Sequence, residues 1–449
     1  MHKTSTDLFF MIDFSIQKLK LITLATLFAI LPLPALAASL EITRWRVEGD
    51  RVTLRVKVLD DRRIPIQGLK TQDFKVQTTD SSGNLVMVNP DEITLTSSDQ
   101  VQIDPAYLVL LLDMSGSMKN KDLAGAQKLK SAINGIREFI REVRDKRLPV
   151  SLALVPFGEG GSGCLYDFAV NEIVIKQNLL DANSSKIDKQ LEQLENIKVC
   201  SATNIYQPVA KAVEYLGEIT NSLNSNKLVQ NSQNIPPKLG VILLSDGYDV
   251  YRSNESERFQ ELLQVLQQNP QVTVHTMGYG EKLNELRDRA HRNNPNKCPI
   301  TGEKLTVDNV VNRCRLSGED IREYIVDERR LTEIAEVTRG IHLFPGNPKE
   351  VIDSLRTFLT TLREYELVYR QPGADRASLH KTVAQVRSPF RQLNLTSEPQ
   401  NIRLNNFAYR SPSWQERFII FIIILLLSLA SILLFLKWSQ NLKAEAEQG

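Results

Sequence analysis

From Tyr107 to Leu362 the chain alternates short, wholly apolar runs with longer amphipathic ones, and this alternation limits its folds more than any other feature. Tyr107-Leu108-Val109-Leu110-Leu111-Leu112 has no polar face, as a strand buried on both sides requires. Residues 121–144 then place Leu123, Ala126, Leu129, Ile133, Ile136, Ile140 and Val143 at helical spacing. Val150–Phe157 reads as a second buried strand, Phe168–Ile175 as an edge strand, and Ile205–Ile219 as a helix. Strands at 240–244, 272–278 and 341–344 follow, interleaved with helices at 256–268, 330–338 and 348–362. Such alternation predicts an α/β fold: a doubly wound, mainly parallel, Rossmann-like sheet with helices on both faces.

The flanks follow a different period. Arg51-Val52-Thr53-Leu54-Arg55-Val56-Lys57-Val58 alternates polar and apolar residues, the pattern of a half-buried strand. Shorter runs at 74–77 and 85–88 are separated by the turn-forming Ser81-Ser82-Gly83-Asn84. Residues 39–104 therefore form an N-terminal β module, thin for a complete sandwich. Strand patterning returns over 365–410, at Glu366–Tyr369 and Lys381–Val386. The simplest arrangement has these strands completing the first sheet, with the α/β region of 105–364 inserted between.

The two ends are apolar. Lys18 and Lys20 precede a short hydrophobic core, Leu21–Leu31, and Leu33-Pro34-Ala35-Leu36-Ala37-Ala38 follows; residues 1–38 have the layout of a secretory signal peptide. Phe418–Leu436 holds only Ser428 and Ser431 as polar members. It would span about 28 Å as a helix, near the hydrocarbon thickness of a bilayer. Arg417 and Lys437 bracket it, with Trp414 and Trp438 where interfacial anchors belong. This predicts a single-pass membrane protein, its main domain extracytoplasmic and residues 437–449 a cytoplasmic tail. In an exported domain the four cysteines can pair. Three pairings are open: Cys298 and Cys314 bracket a short loop, Cys164 and Cys200 are the remaining two, and no C-x-x-C spacing suits zinc. A net charge of +2 from 55 basic and 53 acidic residues speaks against a nucleic-acid binder.

Directly after the first buried strand stands Asp113-Met114-Ser115-Gly116-Ser117. Ser201-Ala202-Thr203-Asn204 leads a later helix, and Ser245-Asp246-Gly247 ends another buried strand. Loops at the carboxyl ends of parallel strands share one edge, where ligands bind. Asp113, Ser115, Ser117, Thr203 and Asp246 would meet there as hard oxygen donors. That set suits Mg²⁺ or Mn²⁺, and it lacks the imidazole and thiolate that zinc prefers.

In these residues the chain resembles a von Willebrand factor type A (VWA) domain over about residues 105–365. The family's metal-ion-dependent adhesion site, or MIDAS, reads D-x-S-x-S, then Thr, then Asp; the matching positions are Asp113, Ser115, Ser117, Thr203 and Asp246. The resemblance implies that the serines and sometimes the Thr hold the ion, the Asp residues acting largely through water. It also implies that a partner protein's Asp or Glu completes the shell. The flanks are similar to a bacterial membrane-anchored subgroup, through Val58-Leu59-Asp60-Asp61, Pro65-Ile66-Gln67-Gly68-Leu69, Asp73-Phe74 and Tyr365–Tyr369. Asp61-Arg62-Arg63 departs from the usual glycine-containing turn.

A Cys164–Cys200 bridge would tie a hairpin to the Thr203 loop. The polar insertion 281–327 leaves a strand's carboxyl end and is expected beside the metal as a rim for the partner. A Cys298–Cys314 bridge would close roughly 17 residues of it, worth on the order of 3 kcal/mol by chain entropy. Catalysis is not expected. The second carboxylate of a phosphoryl-transfer D-x-D pair is replaced by Ser115, Ser115 has no G-x-S-x-G elbow, and His275 and His342 sit in apolar strand runs. The remaining readings are an assembly or scaffold subunit of a membrane complex, recruited through its span, and a phosphatase-like hydrolase.

Overall fold

The structure is a computed structural model. It describes residues 37–446 except 123, 161–166, 198, 200–201, 226–235, 250–253, 294–306, 308–309, 311–324, 375–377 and 405–413. The signal-peptide segment, all four cysteines with their expected bridges, and most of the 281–327 insertion lie outside the described residues. Two compact units are present. One takes Leu59–Pro65 and Pro105–Thr360; the other takes Leu40–Val58, Ile66–Asp104 and the chain from Thr361.

In chain order, the first strands are β1 (Ser39–Glu48), β2 (Arg51–Leu59), β3 (Phe74–Thr79), β4 (Leu85–Met87) and β5 (Thr94–Thr96). The α/β region follows with β6 (Ala106–Asp113), α1 (Lys128–Asp145), β7 (Val150–Phe157), α2 (Glu172–Asn178), β8 (Leu179–Asp181) and α3 (Ser185–Asn196). It continues with α4 (Tyr206–Ser225), β9 (Lys238–Ser245), α5 (Glu255–Gln268), β10 (Val272–Gly278) and α6 (Leu283–Asn293). Then come α7 (Glu328–Val337), β11 (His342–Leu343) and α8 (Pro348–Thr360). The return strands are β12 (Tyr365–Arg370), β13 (Leu379–Ser388), β14 (Leu393–Thr396) and β15 (Gln400–Arg403), before a terminal helix α9 (Trp414–Ala446).

The α/β unit is built on a six-stranded sheet ordered β11-β10-β9-β6-β7-β8. Every pairing is parallel except β7 with β8. Val109 and Leu111 of β6 join a buried cluster with Val209 and Val213 of α4, Phe259 of α5 and Leu331 of α7. Leu110 and Leu112 point to the opposite face by the strand's period of two. Helices α1 and α8 pack so closely that a Cβ on Gly135 would meet Val351 at 2.8 Å. The chain passes from β6 to β7 on one side and returns to β9 on the other, so the topological switch point lies at the carboxyl end of β6.

The β unit stacks two sheets, β1-β2-β12-β5 and β14-β13-β3-β4, with β15 on β13. Return strand β12 lies antiparallel between β2 and β5, with Leu367 opposite both Leu54 and Leu95. The inner faces share one core, including Val52, Leu54, Val56, Phe74, Val76, Leu367, Ala384 and Val386. The rings of Phe74 and Tyr365 meet at 5.2 Å. Within Phe418–Gln440 of α9, the most apolar 18-residue window has a mean hydropathy of 3.3 and none of it is buried. The helix is long and apolar enough to cross a membrane.

Two local expectations are corrected. Phe168–Ile175 is not an edge strand: Asn171 caps α2 by accepting the Val174 amide at 3.0 Å, and Ile175 is buried. The edge is β8 instead. A β-branched run with polar neighbours mimicked strand alternation, and packing against β7 and α4 overrode that propensity. The first helix starts at Lys128 rather than near 121. Ahead of it the Asp122 carboxylate accepts the Ala126 amide and Gly125 takes a φ of +84°.

Candidate functional site

Asp113 ends β6 and Ser245 ends β9. Strand register sets Asp113 level with Phe157 of β7, and Ser245 level with Gly278 of β10. The Ser245 hydroxyl donates to Asp113 Oδ2 at 2.6 Å, and the Ser115 amide donates to Oδ1 at 2.8 Å. Burial, reinforced by the charge of Asp246, pushes the Asp113 carboxyl up to about 7 against these two bonds.

Beyond Asp113 the chain enters a 3-10 turn at Gly116–Lys119, which brings Ser115 Oγ and Ser117 Oγ within 2.9 Å. Both hydroxyls face Asp246: Ser117 Oγ donates to Oδ1 at 2.7 Å, and Ser115 Oγ lies 3.4 Å from the same oxygen. The other carboxylate oxygen, Oδ2, accepts from Lys128 Nζ at 2.7 Å. The Lys128 side chain is only 5% exposed and that of Asp246 is fully buried.

Thr203 reaches this edge through a second loop. Glu159 and Ala202 exchange two backbone bonds of 2.9 and 2.8 Å, fastening residue 202 beside the end of β7. A Cβ on Gly247 would stand 3.1 Å from Thr203 Oγ1, so the Thr203 and Asp246 loops touch where the chain has no side chain. Asp249 locks them together. Its Oδ2 accepts the amides of Ile205 (2.9 Å) and Tyr206 (3.4 Å) at the start of α4, and its Oδ1 accepts from Arg258 at 2.7 Å. Arg258 also donates to the Asn204 side chain at 3.1 Å.

The structure thus brings Asp113, Ser115, Ser117 and Asp246 into one hydrogen-bonded group and sets Thr203 against its rim. Lys128, Ser245 and Asp249 were not foreseen as members. Lys128 had a sequence signal: it lies on the same helical face as Ala132, Gly135 and Phe139, all buried. Ser245 and Asp249 flank Asp246 but carry no pattern that separates them from ordinary turn residues. His275, buried in β10, is engaged structurally: its Nδ1 accepts the Ile341 amide at 3.1 Å and its ring stacks on Phe358 at 5.0 Å.

Among the described residues there is no group of three or more His, Cys, Asp and Glu side chains placed to hold a metal. The donors at this edge are instead two carboxylates and three hydroxyls. They are hard oxygens, so Asp113, Ser115, Ser117, Thr203 and Asp246 fit Mg²⁺ or Mn²⁺ by ligand chemistry.

No family model matches the chain, and no curated protein matches it. Among solved structures, the pilus adhesin SpaC of Lactobacillus rhamnosus GG is 11% identical at a TM-score of 0.34, covering 82% of this chain. Proximal thread matrix protein 1 of the mussel byssus, solved with a zinc-occupied MIDAS motif, is 12% identical at 0.27 and covers 57% of this chain. The chain spans 48% of each of these proteins' own length. Likenesses this slight bear on neither the fold nor the chemistry of the present chain, which rest on its own geometry.

Proposed function

We propose that the protein is a membrane-anchored, extracytoplasmic binding module of the VWA type, holding Mg²⁺ or Mn²⁺ at Asp113, Ser115, Ser117, Thr203 and Asp246. A partner protein would bind by placing an Asp or Glu side chain on the ion. One observation carries the reading: three loops from distant parts of the sequence converge at a parallel-sheet switch point, with Ser115 and Ser117 both turned on Asp246. A bound ion would supply a positive point that attracts a carboxylate. The chain's own residues orient the hydroxyls, keep bulk water from Asp113 and hold the Thr203 loop in register. In this reading the serine hydroxyls that bond to Asp113 and Asp246 serve to hold a ligand rather than to attack one.

The test uses the full chain in detergent. Mg²⁺ or Mn²⁺ should raise its melting temperature, Asp113→Ala should abolish that response, and metal-dependent capture of an envelope protein should disappear in the same variant. The reading is overturned if neither metal stabilises the protein and Asp113→Ala changes nothing. A second reading, an assembly subunit recruited through its span, draws on the exposed apolar length of α9. Replacing Phe418–Leu436 by an unrelated apolar helix separates them, since only the assembly reading then predicts loss of function.

A further inference from the structure

We propose that Lys128 is a built-in counter-cation of the metal site: it weakens the ion's hold in the free protein and strengthens the hold on an acidic ligand once the ion is bound. The inference rests on the metal reading above and concerns a residue outside the MIDAS pattern.

The two oxygens of Asp246 serve different partners. Oδ1 faces the serine hydroxyls, and Oδ2 takes the Lys128 ammonium at 2.7 Å. Lys128 can therefore stay in place while Oδ1 remains turned toward the hydroxyls that would share an ion. Its position is built from several sides. The Lys128 amide bonds back to the Asn120 carbonyl at 3.0 Å, at the start of α1. Asp122, between the two in sequence, accepts both the Ala126 amide and the hydroxyl of Tyr279, itself fully buried just beyond β10. Gly280 borders the ammonium: a Cβ there would be in ordinary contact with Lys128 Nζ at 3.5 Å.

Charge then decides the consequence. With both aspartates ionised, Asp113, Asp246 and Lys128 sum to one negative charge. A divalent ion turns that into one positive charge, and a ligand carboxylate brings it to zero. Without Lys128 the ion alone would neutralise the two aspartates, and an arriving carboxylate would leave an uncompensated charge in a water-poor site. Lys128 thus shifts favourable electrostatics from the binary complex to the ternary one. Coupling of this kind is reciprocal: the ligand tightens the metal by the factor by which the metal tightens the ligand.

The test measures Mn²⁺ affinity of the full chain in detergent, by calorimetry and by the shift in melting temperature. It compares wild type, Lys128→Gln, Lys128→Met and Lys128→Arg. Lys128→Gln removes the charge but keeps a donor for Asp246, and Lys128→Met covers the case in which the amide perturbs folding. The neutral variants should bind Mn²⁺ at least about tenfold more tightly than wild type, while Lys128→Arg stays near wild type. Acetate, matched by chloride for ionic strength, should tighten Mn²⁺ more in wild type than in the neutral variants. If folded neutral variants bind Mn²⁺ no more tightly while Asp113→Ala still abolishes binding, Lys128 is only a structural post and the metal reading survives alone. If no form binds Mn²⁺, both readings fall together.

Discussion

In the β unit the buried polar cluster around Thr78 and Thr382 is neutral; at the edge of the parallel sheet the buried cluster is built on two carboxylates and an ammonium. Thr78 Oγ1 lies 3.0 Å from Thr382 Oγ1 and donates to Gln371 Oε1 at 3.1 Å, while Gln371 Nε2 donates to the Thr79 carbonyl at 2.9 Å. Tyr369 places its hydroxyl 3.3 Å from Thr382 Oγ1, and burial pushes its pKa further up, to about 12. Such a set secures the alignment of β3 and β13 without an ionic cost. The sheet edge instead holds Asp246 close enough to disfavour ionisation of Asp113, with one lysine bonded to Asp246. Stability alone gives little reason for that arrangement, because burying charge is expensive and apolar replacements are often as good. The proposed metal site would give that arrangement a use.

The comparison can be broken most forcefully at Asp249. Asp249→Ala leaves the largely buried Arg258 without this partner and should cost about 3–5 kcal/mol in chemical denaturation. It should also abolish metal stabilisation by loosening the Thr203 loop. A preserved metal response would show that the clamp does not position Thr203.

A next, smaller effect concerns pH. Because the folded-state pKa of Asp113 is raised from 3.8 to about 7, its contribution is fully present below about pH 4 and is lost as pH rises through 7. Chelator-treated protein should therefore be less stable at pH 8 than at pH 5, by an amount on the order of a few kcal/mol. Asp113→Asn should flatten this slope; an unchanged slope would assign it to another group. Gly247→Ala should come third, at about 1–2 kcal/mol, because its methyl would press on Thr203 Oγ1. Its signature is weaker Mn²⁺ binding than that small destabilisation explains. Smallest in reach is Thr382→Val in the neutral cluster: about 1 kcal/mol of stability, with metal affinity unmoved. A change in Mn²⁺ binding there would erase the contrast between the two regions.

Much of the sheet edge could be read in advance because its residues are attached to unmistakable strands. Asp113, Ser115 and Ser117 directly follow an all-apolar run, and Asp246 follows another, so strand polarity alone sends them to one edge. Lys128 could not be placed that way. Its location depends on the bonds of Asn120 and Asp122, a tertiary arrangement held by Tyr279 from a distant strand end. Helix α3 shows a different difficulty: Ile187, Leu191 and Leu194 have helical spacing and Ser184 caps the first turn, yet the polar residues around them mask the pattern. In α2 the local signals conflicted, and an asparagine cap outweighed the β-branched run. Local patterns thus identify which strands exist, whereas the partners of buried charges are decided by loops closing across the sheet.

The interrupted β unit has a consequence for how the chain is made. Val56 pairs with Tyr365, about 300 residues later. During synthesis β2 must therefore wait, with one hydrogen-bonding edge open, until the whole α/β segment has emerged. An open edge is an invitation to pair with another nascent chain, and β2 carries the charges Arg51, Arg55 and Lys57 on its outward positions. Those side chains give the waiting strand some protection against its own copies. The α/β unit has no such dependence, since its sheet closes on contiguous sequence. Assembly should consequently finish from the middle outward, with the β unit sealed just before the apolar helix leaves the ribosome.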